Sequence, residues 1–224
     1  SKAEGVVLMK IKKAFSFGAL MALAVFSRCA GGPESGEGLS QDPYSRGTAY
    51  LDQGAYDQAI EDFSEVLRIT PQDAEAYYGR GLAYYFKGDL DQAIGDFNQA
   101  LRLNPDFAEV YYNRGIVYAD QGQFDQAIAD YHEALRLNPD FAEAYNNRGI
   151  AYAGQGKLDQ AIEDFNQALR LNPNLVEAYL NRGLVYKNQG DFARARGDWE
   201  QTLQLDPHNA NARHNLEVLQ KEGY

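Results

Sequence analysis

Three histidines, one cysteine and 32 carboxylates are the side chains that could ligate a metal, attack a carbonyl or relay a proton. Their spacing suits none of these. His132, His208 and His214 have no nucleophile or second ligand beside them, and Cys29 stands alone, so no disulfide or cysteine metal cluster can form within the chain. No nucleophile elbow or phosphate loop is present, and the carboxylates recur as a solvated face does, so the sequence argues against an enzyme and calls for no cofactor. What does recur is a pair of opposite charges. Arg46, Arg80, Arg114, Arg148 and Arg182 are each followed sixteen residues later by Asp62, Asp96, Asp130, Asp164 and Asp198. A guanidinium and a carboxylate at fixed separation can form a bidentate fork between two elements. The alternative is that both are solvated and are copied only because the sequence around them is.

The surrounding sequence is indeed copied. AEVYYNRGIVYADQGQFDQAIADYHEALRLNPDF begins at Ala108, and close variants begin at Ala74 and Ala142, with looser ones at Ser40 and Val176. A fixed period of 34 residues signals stacked supersecondary units. Gly47, Gly81, Gly115, Gly149 and Gly183 lie inside helical patterns, where glycine costs about 1 kcal/mol against alanine, so close helix approach is expected there. Ala59, Ala93, Ala127, Ala161 and Ala195 are the expected small partners. Gly54, Gly88, Gly122, Gly156 and Gly190 are placed to end the first helix of each unit. A second helix follows with a broad apolar stripe, as in Leu90, Ala93, Ile94, Phe97, Ala100 and Leu101. Pro71, Pro105, Pro139, Pro173 and Pro207 stop it.

The order aromatic, Gly, Tyr, Gly, Ala, aromatic, Ala, Pro resembles the tetratricopeptide repeat family. The resemblance implies an all-α, right-handed solenoid of helix–turn–helix repeats over 40–73, 74–107, 108–141, 142–175 and 176–209. A capping helix is expected at 210–222, with Ala212, Leu216 and Leu219 turned inward and Glu217 where the packing glycine would stand. It also implies a concave groove, lined by Tyr78, Tyr112, Asn146 and Leu180, by Asn113, Asn147 and Asn181, and by Leu82, Ile116, Ile150 and Leu184. An asparagine amide offers donor and acceptor to a peptide backbone. Asparagine is equally the family's common choice at that place, with no ligand implied. The lysine–asparagine clamp that some members use for a terminal carboxylate is missing. Glu75, Glu109, Glu143 and Glu177 instead make the rim acidic, favouring basic peptides.

Charge agrees. The chain carries −11 in total, and residues 1–39 hold five basic and three acidic residues, so residues 40–224 carry −13. That argues against nucleic acid and against a polybasic membrane patch. Residues 1–30 read separately, as upstream sequence followed by a signal. Met9 is the expected start; Lys10, Lys12 and Lys13 then precede the apolar run Ala14–Phe26, in the layout of a secretory signal peptide. Phe26–Ser27–Arg28–Cys29 resembles a bacterial lipobox, with Arg28 where that family has a small residue. Cys29 is therefore either a lipidation site or incidental to an ordinary signal, and a third alternative leaves the segment uncleaved as an anchor. Residues 31–39 form a Gly-rich linker. The expected protein is a non-enzymatic scaffold of the bacterial envelope that binds a peptide or protein partner. Its alternatives are a homo-oligomeric spacer and a cytosolic co-chaperone-like module.

Overall fold

The computed structural model describes residues 42–224. Eleven α-helices and no strand occur among the described residues. In chain order they are α1 (Pro43–Asp52), α2 (Tyr56–Ile69), α3 (Ala74–Lys87), α4 (Leu90–Leu103), α5 (Ala108–Asp120) and α6 (Phe124–Leu137). These are followed by α7 (Ala142–Gly154), α8 (Leu158–Leu171), α9 (Val176–Asn188), α10 (Phe192–Leu205) and α11 (Ala210–Lys221). The described residues up to Leu137 form one compact unit and Asn138–Tyr224 another.

Local chemistry sets the helix ends. Asp42, Asp73, Asp191 and Asn209 cap α1, α3, α10 and α11 by accepting a backbone N–H from the first turn. Pro43 occupies the first turn of α1, where its missing N–H costs nothing. At the other end of α3, Gly88 takes φ +95°, a left-handed conformation that closes the turn into α4.

In the N-terminal unit each first helix packs on the helix that follows it: α1 on α2, α3 on α4, α5 on α6. The glycines make this packing possible, and beside the alanine that the sequence suggested an aromatic ring covers them: a Cβ on Gly81 would meet Ala93 O at 3.4 Å and one on Gly149 would meet Ala161 O at 3.1 Å. A Cβ on Gly81 would stand 2.7 Å from Phe97, and one on Gly115 would stand 2.8 Å from Tyr131. The backbone of the first helix therefore packs against the ring of an aromatic residue, and the small alanines let the second helix come close enough for that. The C-terminal unit repeats the arrangement with Gly149 on Phe165 and Gly183 on Trp199. There α11 packs on α10, burying Ala212 and Leu219, leaving Leu216 half-buried and turning Glu217 to solvent. Asn215 is buried as well, which its polarity did not announce.

Each Arg–Asp pair bridges the two helices of one hairpin. Arg80 Nε reaches Asp96 at 2.7 Å and its Nη2 reaches the other oxygen at 2.8 Å. Arg114 and Asp130 form the same fork at 2.8 and 2.6 Å, Arg148 and Asp164 at 2.8 and 2.7 Å, and Arg182 and Asp198 at 2.8 and 2.6 Å. Arg46 pairs with Asp62 likewise. All five aspartates are buried. Burial works against the charged Arg114 guanidinium, but the hydrogen bonds and charge of Asp130 outweigh it and hold Arg114 above its ordinary range.

Removing one partner leaves a buried charge without its counterpart, so Arg114→Leu is expected to destabilise by about 3 kcal/mol. Asp130→Leu in addition recovers much of that loss, because no lone charge then remains. Urea midpoints of the two singles and the double measure the coupling; a double variant that loses the sum of the single losses shows that the pair contributes nothing.

Candidate functional site

The faces that the sequence assigned to a ligand lie on α3, α5, α7 and α9. Tyr78 and Leu82 on α3, Tyr112, Asn113 and Ile116 on α5, and Asn146, Asn147 and Ile150 on α7 are all buried. Asn181 on α9 is buried too, whereas Leu180 and Leu184 are half-exposed. The expectation that the asparagines offer free amides is therefore corrected. Asn113 Nδ2 donates to the Tyr78 hydroxyl at 2.8 Å and to the Glu109 carbonyl at 2.9 Å. Asn146 Nδ2 donates to Asn147 Oδ1 at 3.1 Å, and Asn181 Nδ2 donates to Asn146 Oδ1 at 3.3 Å. The physical reason is position. Asn113 and Asn181 sit where one first helix meets another and each donates across that seam to a residue 35 positions earlier, Tyr78 and Asn146.

The glutamates expected at the rim are more open. Glu75 is exposed and accepts a 3.3 Å hydrogen bond from the Tyr44 hydroxyl. Glu109, Glu143 and Glu177 are half-exposed, and among the described residues none of the four forms an ion pair. Among those residues, too, no group of His, Cys, Asp and Glu could hold a metal ion, and no helix is long and apolar enough to cross a membrane. Cys29 and the apolar run Ala14–Phe26 lie outside the described residues.

Two features escaped the sequence reading. The first is a third arm on the arginine. Arg80 donates from Nη1 to Ser64 on α2, Arg114 to Asn98 on α4, and Arg182 to Asn166 on α8, each on the second helix of the preceding hairpin. The same guanidinium lies between two tyrosine rings, at 5.6 and 6.0 Å for Tyr77 and Tyr84 around Arg80, and at 5.6 and 5.8 Å for Tyr111 and Tyr118 around Arg114. Ser64, Asn98 and Asn166 stand sixteen positions before those three arginines, a recurrence that could have revealed the third arm, whereas His132 holds that place before Arg148.

The second feature is not periodic. One turn beyond Leu82 on α3, the Tyr85 hydroxyl donates to Asp120 Oδ2 at 2.8 Å, and Asp120 lies one turn beyond Ile116 on α5. Both side chains are half-exposed. On α6 Tyr131 is fully buried, and among the described residues neither its hydroxyl nor Asn113 Oδ1 has a hydrogen-bond partner. Burial above all, with Tyr112, Asp120 and Tyr85 adding to it, pushes the Tyr131 phenol well above its ordinary range. Burial likewise raises the Asp120 carboxyl, which the Tyr85 hydrogen bond only partly counters.

These antiparallel helix pairs, repeated at 34 residues with glycine, tyrosine and proline in phase, define an α-helical repeat protein of the kind that presents surfaces to other proteins. Tetratricopeptide repeat models match residues 112–176 and 176–209, and a further repeat model of that family matches 47–88 and 83–122. The chain belongs to the tetratricopeptide repeat family.

Solved structures agree. MamA is 27% identical with a TM-score of 0.67, and the match covers 73% of this chain and 96% of that one. YrrB, described as a tetratricopeptide repeat protein with an unusual peptide-binding site, is 23% identical with a TM-score of 0.66, over 78% and 90% of the two chains. TTC0263, from Thermus thermophilus, is 24% identical with a TM-score of 0.62, over 80% and 97%. A search of curated proteins finds no significant match.

Because the folded protein raises the Asp120 pKa, the native state holds its proton more tightly than the unfolded chain does. The stabilising effect of that proton is complete below the ordinary aspartate value of about 3.9 and is lost as the pH rises through the folded value. Asp120→Asn, which is neutral at every pH, should therefore raise the urea midpoint at pH 7. The gain should shrink to nothing near pH 3.5. A gain that persists at low pH would assign the effect to something other than the carboxylate charge.

Proposed function

We propose that this chain is a non-enzymatic scaffold that holds a basic protein or peptide partner against the first helices of its repeats. The observation that supports it is the acidic rim. Glu75, Glu109, Glu143 and Glu177 stand at one phase of four first helices, open to solvent and without a cationic partner among the described residues. The fork and the asparagine seam involve most of the buried polar side chains, and the glutamate side chains take part in neither. Unpaired surface charge of one sign steers and selects a partner of the other.

Affinity capture from an envelope extract with the full chain tests this. Replacing the four glutamates with glutamine should leave the helical circular dichroism unchanged and cut recovery of basic partners about tenfold at low salt, with the difference fading as salt screens the rim. Equal capture by both forms would remove the rim from recognition. A dimer by light scattering with no captured partner would favour the spacer.

The site of action belongs to the same proposal. Lys10, Lys12 and Lys13, the apolar run Ala14–Phe26 and Cys29 support export to the bacterial envelope with a lipid on Cys29. Cells given a radioactive fatty acid should label the protein, and Cys29→Ser should abolish the label. Label retained on the serine variant overturns lipidation at that cysteine.

A further inference from the structure

We propose that the last turns of α1, α3 and α5 form a docking surface for an extended segment of a partner protein. In that segment an apolar residue has a basic residue three positions away on each side. The inference rests on the protein-binding reading above.

Three observations carry it. The first is an aromatic surface that the repeat does not require. Phe86 stacks on Tyr56 of α2 with ring centres 5.6 Å apart and lies 5.3 Å from Tyr85, and all three rings are half-exposed. Residues in phase with Phe86 are Asp52, Asp120, Gly154 and Asn188, and those in phase with Tyr85 are Leu51, Ala119, Ala153 and Lys187. No other hairpin sets two aromatic residues there. Asp120 holds the Tyr85 hydroxyl at 2.8 Å, which fixes one side of the surface.

The second observation is what flanks the rings. α3 lies against α1 and also against α5. Asp52 is the final residue of α1 and Asp120 that of α5, so each stands in phase with Phe86 on a neighbouring helix. Among the described residues neither carboxylate forms an ion pair, and neither helix has a basic residue in its last turn. A carboxylate is unfavourable at the negative end of a helix dipole. A cation brought by a partner relieves that at both places.

The third is spacing. Packed helices lie about 8–10 Å apart, and an extended chain covers about 9–10 Å in three residues. A segment crossing the three helices therefore sets a base at Asp52, an apolar side chain on the rings and a second base at Asp120. Glu75 and Glu109 stand eleven residues before Phe86 and Asp120 on the same helices. That is about 16 Å along the axis, so this surface is separate from the rim.

The test is fluorescence anisotropy of the full chain with a labelled peptide of sequence Lys-Pro-Gly-Leu-Pro-Gly-Lys. Its control is the same composition reordered as Pro-Gly-Lys-Leu-Lys-Pro-Gly, which carries equal charge at the wrong spacing and should bind about fivefold more weakly. Serine in place of the leucine should weaken binding about tenfold. Phe86→Asn should do likewise, and asparagine is a residue that the repeat accepts at this phase, as at Asn188. Asp52→Asn and Asp120→Asn should each weaken binding about threefold. Asp106→Asn, at an exposed aspartate, should change nothing. Thermal unfolding verifies that the variants are folded. No binding of the first peptide, equal binding of the reordered one, or unchanged binding by the Phe86→Asn protein overturns the proposal. If the rim-dependent capture persists in any of those cases, this surface falls and the scaffold stands. If capture fails while the peptide binds in a manner that needs Phe86 and both aspartates, the surface stands and the rim-based scaffold falls.

Discussion

Every hairpin is held where an Arg–Gly dipeptide on its first helix meets an Asp–aromatic dipeptide on its second. The arginine forks onto the aspartate, and the neighbouring glycine packs against the neighbouring ring. The two contacts constrain different things. The fork is directional and fixes how far one helix can slide along the other. The ring contact has little direction but depends steeply on distance, so it fixes the spacing. A fork alone would tolerate helices too far apart to exclude water, and a ring alone would tolerate slippage. Together they define one register, for which buried charge is better suited than for net stability. Arginine is also the cation for the place, because its planar group lies between two tyrosine faces while its edge forks.

Most of this scaffold was legible from residue types and spacing. Glycine at Gly88, proline at Pro105 and the stripe from Leu90 to Leu101 mark helix ends and faces through local chemistry that no distant residue can overrule. Pairing of Arg114 with Asp130 followed from five copies of the same separation. The reading went astray where the outcome depends on which neighbour reaches a space first. Ala93 was the expected partner of Gly81 and its carbonyl does approach there, but the ring of Phe97, one turn later on the stripe, lies closer. Asn113 and Asn181 were expected to face a ligand, yet their amides are used across the seam between first helices. One period read in isolation shows a polar residue on a helix face and cannot show what the next period sets against it.

Departures from the period carry a different kind of information. Averaging five copies isolates what stacking requires and erases what one copy does alone. The bond between Tyr85 and Asp120 was invisible for that reason: neither residue belongs to the consensus, and only the structure brings them together. The acidic rim is the opposite case, a feature found in four copies that takes no part in the forks or the glycine contacts. The scaffold is thus the common part of the repeat, and the candidate recognition groups are those that the common part leaves unemployed.

The third arm of the arginine has a consequence for how such chains lengthen. Arg80 and Arg114 each hold their own hairpin with two nitrogens and the preceding one with the remaining nitrogen. A hairpin inserted by tandem duplication arrives with its internal lock complete and with one donor ready for whatever stands before it. The acceptor asked of that neighbour is modest, since a serine hydroxyl serves at Ser64 and an asparagine amide oxygen at Asn98. Arg46, which has no earlier hairpin among the described residues, turns to Glu65 on its own second helix instead. An array wired this way can grow or shrink by whole copies without any interior residue having to change.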